Sequence, residues 1–114
     1  MKEKKHLYVL WTNDNVVTAE KMLFMYGINS CLKGWWEEVT IIIWGATARL
    51  SSENEQIQMK IKEAIGAGVH MTACRACADQ LGVTEKLEKM GVEVKYWGVP
   101  LTEILKNDEA LLTI

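Results

Sequence analysis

The sequence predicts an α/β protein, a three-layer α/β/α sandwich around a five-stranded, mainly parallel sheet. Three observations lead there. Short apolar runs dense in β-branched residues alternate with segments of helical periodicity, five times along the chain. The segments between the runs have crossover length, and parallel strands need crossovers, which helices supply with a right-handed turn. The composition is that of an ordinary globular chain, 49% hydrophobic and 25% charged over 114 residues, which is one domain's worth. We read residues 1–114 as a single domain. Strand order is not legible from spacing; the flavodoxin-like order is the default for such a sheet.

The elements follow in sequence. His6 to Trp11 is an apolar run that reads as a strand buried on both faces. Asn13 and Asp14 offer caps for a helix from Val16 to Leu32, so rich in apolar residues that more than one of its faces should be covered. Val39 to Trp44 is the clearest strand and Gly45 ends it. Ser52 and Glu55 have capping-box spacing, ahead of Ile57, Ile61, Ala64 and Ile65 at helical intervals. Val69 to Ala73 is a third strand. A helix from Cys74 to Leu81 stops at Gly82, and a shorter one runs from Thr84 to Met90. Val92 to Trp97 is the fourth strand, Pro100 opens a helix through Lys106, and Ala110 to Ile114 is the last strand.

Charge and cysteine usage set the class of partner. A net charge of -2 leaves no basic face for nucleic acid. Three cysteines give no disulfide framework. The charged lead Met1 to Lys5 precedes an apolar run too short for a signal peptide, and nothing approaches the ~20 apolar residues that span a bilayer. The expectation is a cytoplasmic protein with free thiols and no membrane partner.

Ligands of open α/β sheets bind beyond the carboxyl ends of the strands. The sequence places Trp11, Asn13 and Asp14 there after strand one, Trp44 and Arg49 after strand two, Cys74, Arg75 and Cys77 after strand three, and Trp97 after strand four. Cys74 stands where a strand gives way to a helix, and the helix N-terminus favours a thiolate there, with Arg75 acting the same way. Trp11, Trp44 and Trp97 are candidates to line a pocket over Cys74. Cys74 and Cys77 also form a C-x-x-C pair, the spacing of a redox dithiol. Cys31, among apolar helix residues, reads as core.

Other chemistries are disfavoured. His70 precedes Cys74 by four strand residues, about 13 Å at ~3.3 Å per residue, and His6 opens the first strand at the far end, so no Cys–His hydrolase is indicated. Both read as ordinary strand residues. The loop from Thr12 to Asn15 has no Gly to admit phosphate, so neither a flavin nor a dinucleotide is expected. No zinc set is complete, and we expect no metal and no cofactor. Trp35 and Trp36 are adjacent in a loop after Gly34; two neighbouring indoles do not both turn inward, which reads as a subunit interface.

The run Leu7 to Asp14, the strand end Trp44-Gly45-Ala46, and the stretch from Val69 through Cys74 and Cys77 to Val83 resemble the DsrE/DsrF-like family, which includes the TusD-type sulfur-relay subunits. The resemblance spans nearly the whole chain. It implies a DsrE/F-like fold and a sulfurtransferase-type role in which Cys74, eight residues before Gly82, carries sulfane sulfur as a persulfide between donor and acceptor proteins. It also implies a homo-oligomer, a trimer or a hexamer. The chain departs from the relay subunits in having Cys77, and in having Asp79 and Gln80 where their helix is basic. Two other readings stand beside it: a Cys74/Cys77 thiol-disulfide oxidoreductase, and a non-catalytic oligomeric module that binds a small molecule.

Overall fold

The computed structural model describes residues 3–114; Met1 and Lys2 of the charged lead lie outside the described residues. Its elements, in chain order, are β1 (His6–Trp11), α1 (Val16–Thr18), a π-helical turn (Ala19–Phe24), α2 (Met25–Leu32), β2 (Glu38–Ile43), α3 (Ala46–Glu53), α4 (Glu55–Ala67), β3 (His70–Cys74), α5 (Arg75–Leu81), α6 (Thr84–Lys89), β4 (Glu93–Lys95), α7 (Gly98–Lys106) and β5 (Ala110–Thr113). The five strands form one sheet in the order β4-β3-β2-β1-β5, and every neighbouring pair is parallel. The predicted α/β sandwich is therefore present. Its strand order differs from the flavodoxin default of 2-1-3-4-5.

That order decides what each face carries. Chain steps from β1 to β2, β3 and β4 all run in one direction, so right-handed crossovers put α1 to α6 on one face. The return from β4 to β5 crosses to the other side of β1 and puts α7 on the opposite face. The main core lies on the first face, where Leu7, Val9, Trp11, Ile41, Ile43, Met71 and Ala73 meet Leu23, Phe24, Ile57, Ile61 and Leu87. A smaller cluster of Ile42, Cys74, Trp97 and Ile104 lies under α7, with Tyr8, Leu10, Trp44 and Leu111 at its margin. Thus β1 is not buried on both faces as expected: its residues alternate between half-buried and buried, because one short helix covers the second face.

Three local expectations are corrected. The first helix is capped by Asn15, whose Oδ1 accepts the Thr18 N–H at 2.9 Å, while Asn13 closes a turn onto the Asn15 N–H and Asp14 is left out of capping. The same helix widens into a π turn from Ala19 to Phe24, which buries the adjacent Leu23 and Phe24 together; Phe24 meets Trp11 edge-on at 5.4 Å. Its second apolar face stays open, with Val17, Met25 and Leu32 exposed. The Ser52–Glu55 capping box does not form. Ser52 lies inside α3, its hydroxyl donating to the Arg49 carbonyl, and Asn54 caps α4 by accepting the Ile57 N–H at 3.0 Å.

The remaining boundaries shift slightly. β4 is confined to Glu93–Lys95 because Trp97 already adopts the helical cap position of α7. Pro100 is the third residue of α7 rather than the first, still within the turn whose N–H groups lack helical partners. Gly27 lets α2 approach the sheet: a Cβ there would stand 3.2 Å from Ile41 Cδ1. Among the described residues no helix is long and apolar enough to cross a membrane.

Candidate functional site

A cleft of about 490 Å³ opens beyond the carboxyl ends of the strands, between α3 and α5, lined by Asp14, Gly45, Arg49, Glu53, Cys77 and Gln80 among others. Its frame is built at the ends of β1 and β2. The Thr47 hydroxyl donates to the Trp11 carbonyl at 2.7 Å and accepts the Trp44 N–H at 3.1 Å, tying the two strand ends to the first turn of α3. Gly45 turns the chain at φ 70° and ψ -133°, a conformation that strains any L side chain, and its carbonyl faces α5. There it accepts the Cys77 thiol at 3.5 Å.

The lining side chains follow from helical spacing. Arg49 and Glu53 are four apart on α3, Cys77 and Gln80 three apart on α5, so each pair shares a face of its helix. Asp14 joins from the loop after β1, free of a capping role because Asn15 has taken it. The cleft wall therefore presents a thiol, a guanidinium, two carboxylates and an amide around an apolar floor. Among the described residues no group of three His, Cys, Asp or Glu is placed to hold a metal ion.

The two cysteines of the C-x-x-C pair differ in exposure, and the one expected at the open rim is the buried one. Cys74 is 4% exposed and packs with Ile42, Trp97 and Ile104 beneath α7. It is the N-cap of α5 yet makes no side-chain capping bond to it, and α5 has only 7 residues. Cys77, half-buried, lines the cleft. The cause is alternation: Met71 and Ala73 face the main core, so Thr72 and Cys74 point to the opposite face. All three cysteines are free thiols, and burial pushes the Cys31 thiol up from its ordinary value.

Arg75 does not attend Cys74. Its guanidinium donates to the Val94 carbonyl at 2.9 Å and stands 3.9 Å from both Asp79 and Glu88, holding α5 against β4 and α6. The tryptophans form no common pocket. Trp11 is fully buried in the main core and bonds the Asn13 carbonyl; Trp97 is buried on the other face, donating to Thr72 Oγ1 at 2.8 Å; Trp44 is half-buried at the margin of that second cluster. Asp14 and Arg49 are the predicted pocket residues that the cleft brings together. Of the adjacent indoles, Trp36 turns inward, its Nε1 donating to Tyr26 Oη at 3.1 Å, while Trp35 is 55% exposed beside Lys33.

Sequence reasoning read Gly45 as the end of strand two and not as an acceptor, and missed Glu53 because it gave Ala46 to Glu53 no helix of its own; Gln80 lay on a helix it did read, noted only as a departure from the relay subunits. The helical signal of Ala46 to Glu53 is weak: two Ser and one Thr in eight residues, with the capping-box pattern seeming to begin a helix later. A second omission is on the bare face. His6 and His70 are not isolated strand residues; both bond Thr40 Oγ1, at 2.7 and 3.2 Å.

The fold and its cleft can now be set beside known proteins. Over 96% of this chain and 95% of the other, the structure superposes with a TM-score of 0.95 on a conserved protein of unknown function, BT1422 from Bacteroides thetaiotaomicron, at 42% sequence identity. The chain belongs to the family of that protein. No family model matches the chain, and no curated protein does. The kinship carries the architecture across with near-complete coverage and assigns neither protein a reaction.

Proposed function

We propose that the protein is a binding module for a small molecule, held in the cleft between α3 and α5 with the Cys77 thiol against it. The observation that supports this reading is the half-buried Cys77 on the wall of a 490 Å³ cavity at the carboxyl edge of a parallel sheet. Ligand pockets run to about 300–1,000 Å³, mostly apolar with a few convergent polar groups, and open α/β sheets bind ligands at this edge. Arg49 offers a bidentate contact to an anionic group, and Asp14 and Glu53 accept from donors on the same molecule. A screen of small polar fragments read by amide chemical shifts tests it. Perturbations clustered on Gly45, Arg49 and Cys77, and lost in Arg49→Ala, are the expected result. Fragments that leave these amides unmoved overturn it.

Sulfane-sulfur carriage is the second reading, favoured by the same placement of a thiol on an open wall. In that reading the Cys77 thiolate attacks the sulfane sulfur of a donor, the new S–S bond forms as the donor's bond breaks, and the donor leaves with the electron pair. The residue that the DsrE/DsrF-like resemblance singles out, Cys74, would accept sulfur only after the packing of Trp97 and Ile104 is opened. A cytoplasmic, oligomeric protein exchanging sulfur with donor and acceptor proteins belongs to this reading. Intact mass after treatment with a sulfane donor distinguishes the sites: a gain of one sulfur atom abolished by Cys77→Ser and kept in Cys74→Ser supports it. The reverse pattern places the acceptor at Cys74 and requires α7 to move. No gain at all removes sulfur carriage and leaves the binding module. A Cys74/Cys77 redox dithiol is the third reading: Cys77 also packs against the cluster that holds Cys74, but both are free thiols and only Cys77 lines the cleft.

A further inference from the structure

At the amino ends of the strands, on the face opposite α1 to α6, five side chains form one hydrogen-bonded row across β1 to β4. His6 Nδ1 stands 2.9 Å from Glu38 Oε2, and His6 Nε2 stands 2.7 Å from Thr40 Oγ1. Thr40 Oγ1 in turn lies 3.2 Å from His70 Nδ1, and His70 Nε2 lies 3.0 Å from Glu93 Oε1. Parallel register puts them there: His6 pairs with Glu38, and Thr40 pairs with His70. Each imidazole is bonded through both nitrogens, which fixes both ring orientations. The row borders a cavity of about 350 Å³ lined by His6, Glu37, Glu38, Thr40 and His70.

The hydrogens can be counted. Four contacts need four hydrogens. Ionised carboxylates bring none, a hydroxyl brings one, and each neutral imidazole brings one, which makes three. With three, one of the four contacts, which one depending on the tautomers, becomes a lone pair facing a lone pair. The fourth hydrogen has to be a proton taken from solvent.

We infer that the Glu38–His6–Thr40–His70–Glu93 row is a proton-holding relay, which binds one proton beyond its neutral imidazoles and shares it between His6 and His70 through the Thr40 hydroxyl. When His70 is the imidazolium, it donates to Thr40, which donates to neutral His6, which donates to Glu38. When His6 is the imidazolium, every arrow between the rings reverses. The row carries two carboxylates against one imidazolium, so the added proton also offsets a like-charge surplus. The other charged groups about it are Glu109, whose charge acts on His6, Glu37 with Lys5 at 4.0 Å, and Lys95 at 4.0 Å from Glu93. Tyr8 stacks on His6 with ring centres 4.0 Å apart, which keeps that ring partly dry. Burial pushes His6 below its ordinary value, so the shared proton leans away from it.

Imidazole nitrogen NMR on the full chain tests the relay. The expected spectrum at pH 7.5 shows the two rings together holding close to one extra proton, where isolated imidazoles with a pKa near ~6.5 are about nine-tenths neutral. Both rings should respond in both titration steps. Thr40→Val, which keeps the shape and removes the hydroxyl, should restore two independent single-step curves; Glu93→Gln should release the shared proton at lower pH. Two neutral rings at pH 7.5 in the unaltered protein, or curves that each show one step and do not change in Glu93→Gln, overturn the inference whether or not Thr40→Val folds.

Discussion

Thr72 shows how much one hydroxyl carries here. It donates to the Glu93 carbonyl at 2.7 Å, binding β3 to β4, and accepts the buried Trp97 Nε1–H at 2.8 Å. Thr72→Val keeps the volume and strands that indole N–H away from water. An unsatisfied buried donor costs about 1–3 kcal/mol. We therefore expect urea unfolding to show a loss of stability in that range, with Trp97→Phe recovering part of it in the double variant. The cysteines teach the same lesson at the same scale. Their type and spacing marked the right stretch of chain, but which of the two thiols meets solvent depends on the face each residue occupies. Cys74 inherits the inward alternation of a strand, while Cys77 sits one helical turn later and looks across at Gly45. Residue counting alone offers no sign of that, because Cys74 is both the last strand residue and the cap of the next helix.

At the scale of elements, the segment between β2 and β3 decides most. Two helices occupy it where one was expected, and Asn54 rather than Ser52 starts the second. Losing an Asn cap costs about 0.5–2 kcal/mol. Asn54→Ala should lower stability by roughly 1 kcal/mol, and Ser52→Ala, which removes a hydroxyl bonded back to its own helix, should cost less. Equal losses, or the opposite ranking, would mean that the capping box forms after all. The consequence reaches the cleft: α3 is the element that brings Arg49 and Glu53 to face Cys77. The same sequence that hid the cap hid that wall. The first helix was legible as a helix and its π turn was not, because an extra residue in one turn leaves the apolar pattern nearly intact while rotating everything beyond it.

For the whole molecule, strand order controls both the bare face and the response to pH. His6 is held partly out of water, with Tyr8 stacked on its ring, and its imidazole is pushed below the ordinary value by burial. The unfolded chain, with His6 near ~6.5, binds that proton more readily. Below about pH 6.5 the two imidazoles of the unfolded chain together take up more than the single extra proton of the folded row, and the lowered His6 resists the second, so stability should fall as pH drops from about 6 toward 5. The midpoint of denaturant unfolding should follow, and His6→Gln should flatten the dependence. A midpoint that stays constant over this interval, or rises toward acid, contradicts the placement of His6.

What the amino-acid sequence determined unaided was the class and the count: five strands, helical crossovers, parallel pairing, and the stretch from Cys74 to Cys77 at the carboxyl edge. Those properties are written in local periodicity and in the rule that parallel strands need crossovers. Tertiary structure alone decided the order of the strands, and from that order came everything specific to the site. It set which face each strand residue serves, which cysteine lines the cleft, and how two histidines 64 positions apart come to share one threonine. Neighbours within a segment are fixed by the chain; neighbours across a sheet are fixed by where each crossover lands, a choice made by packing against the whole core rather than by any one stretch of residues.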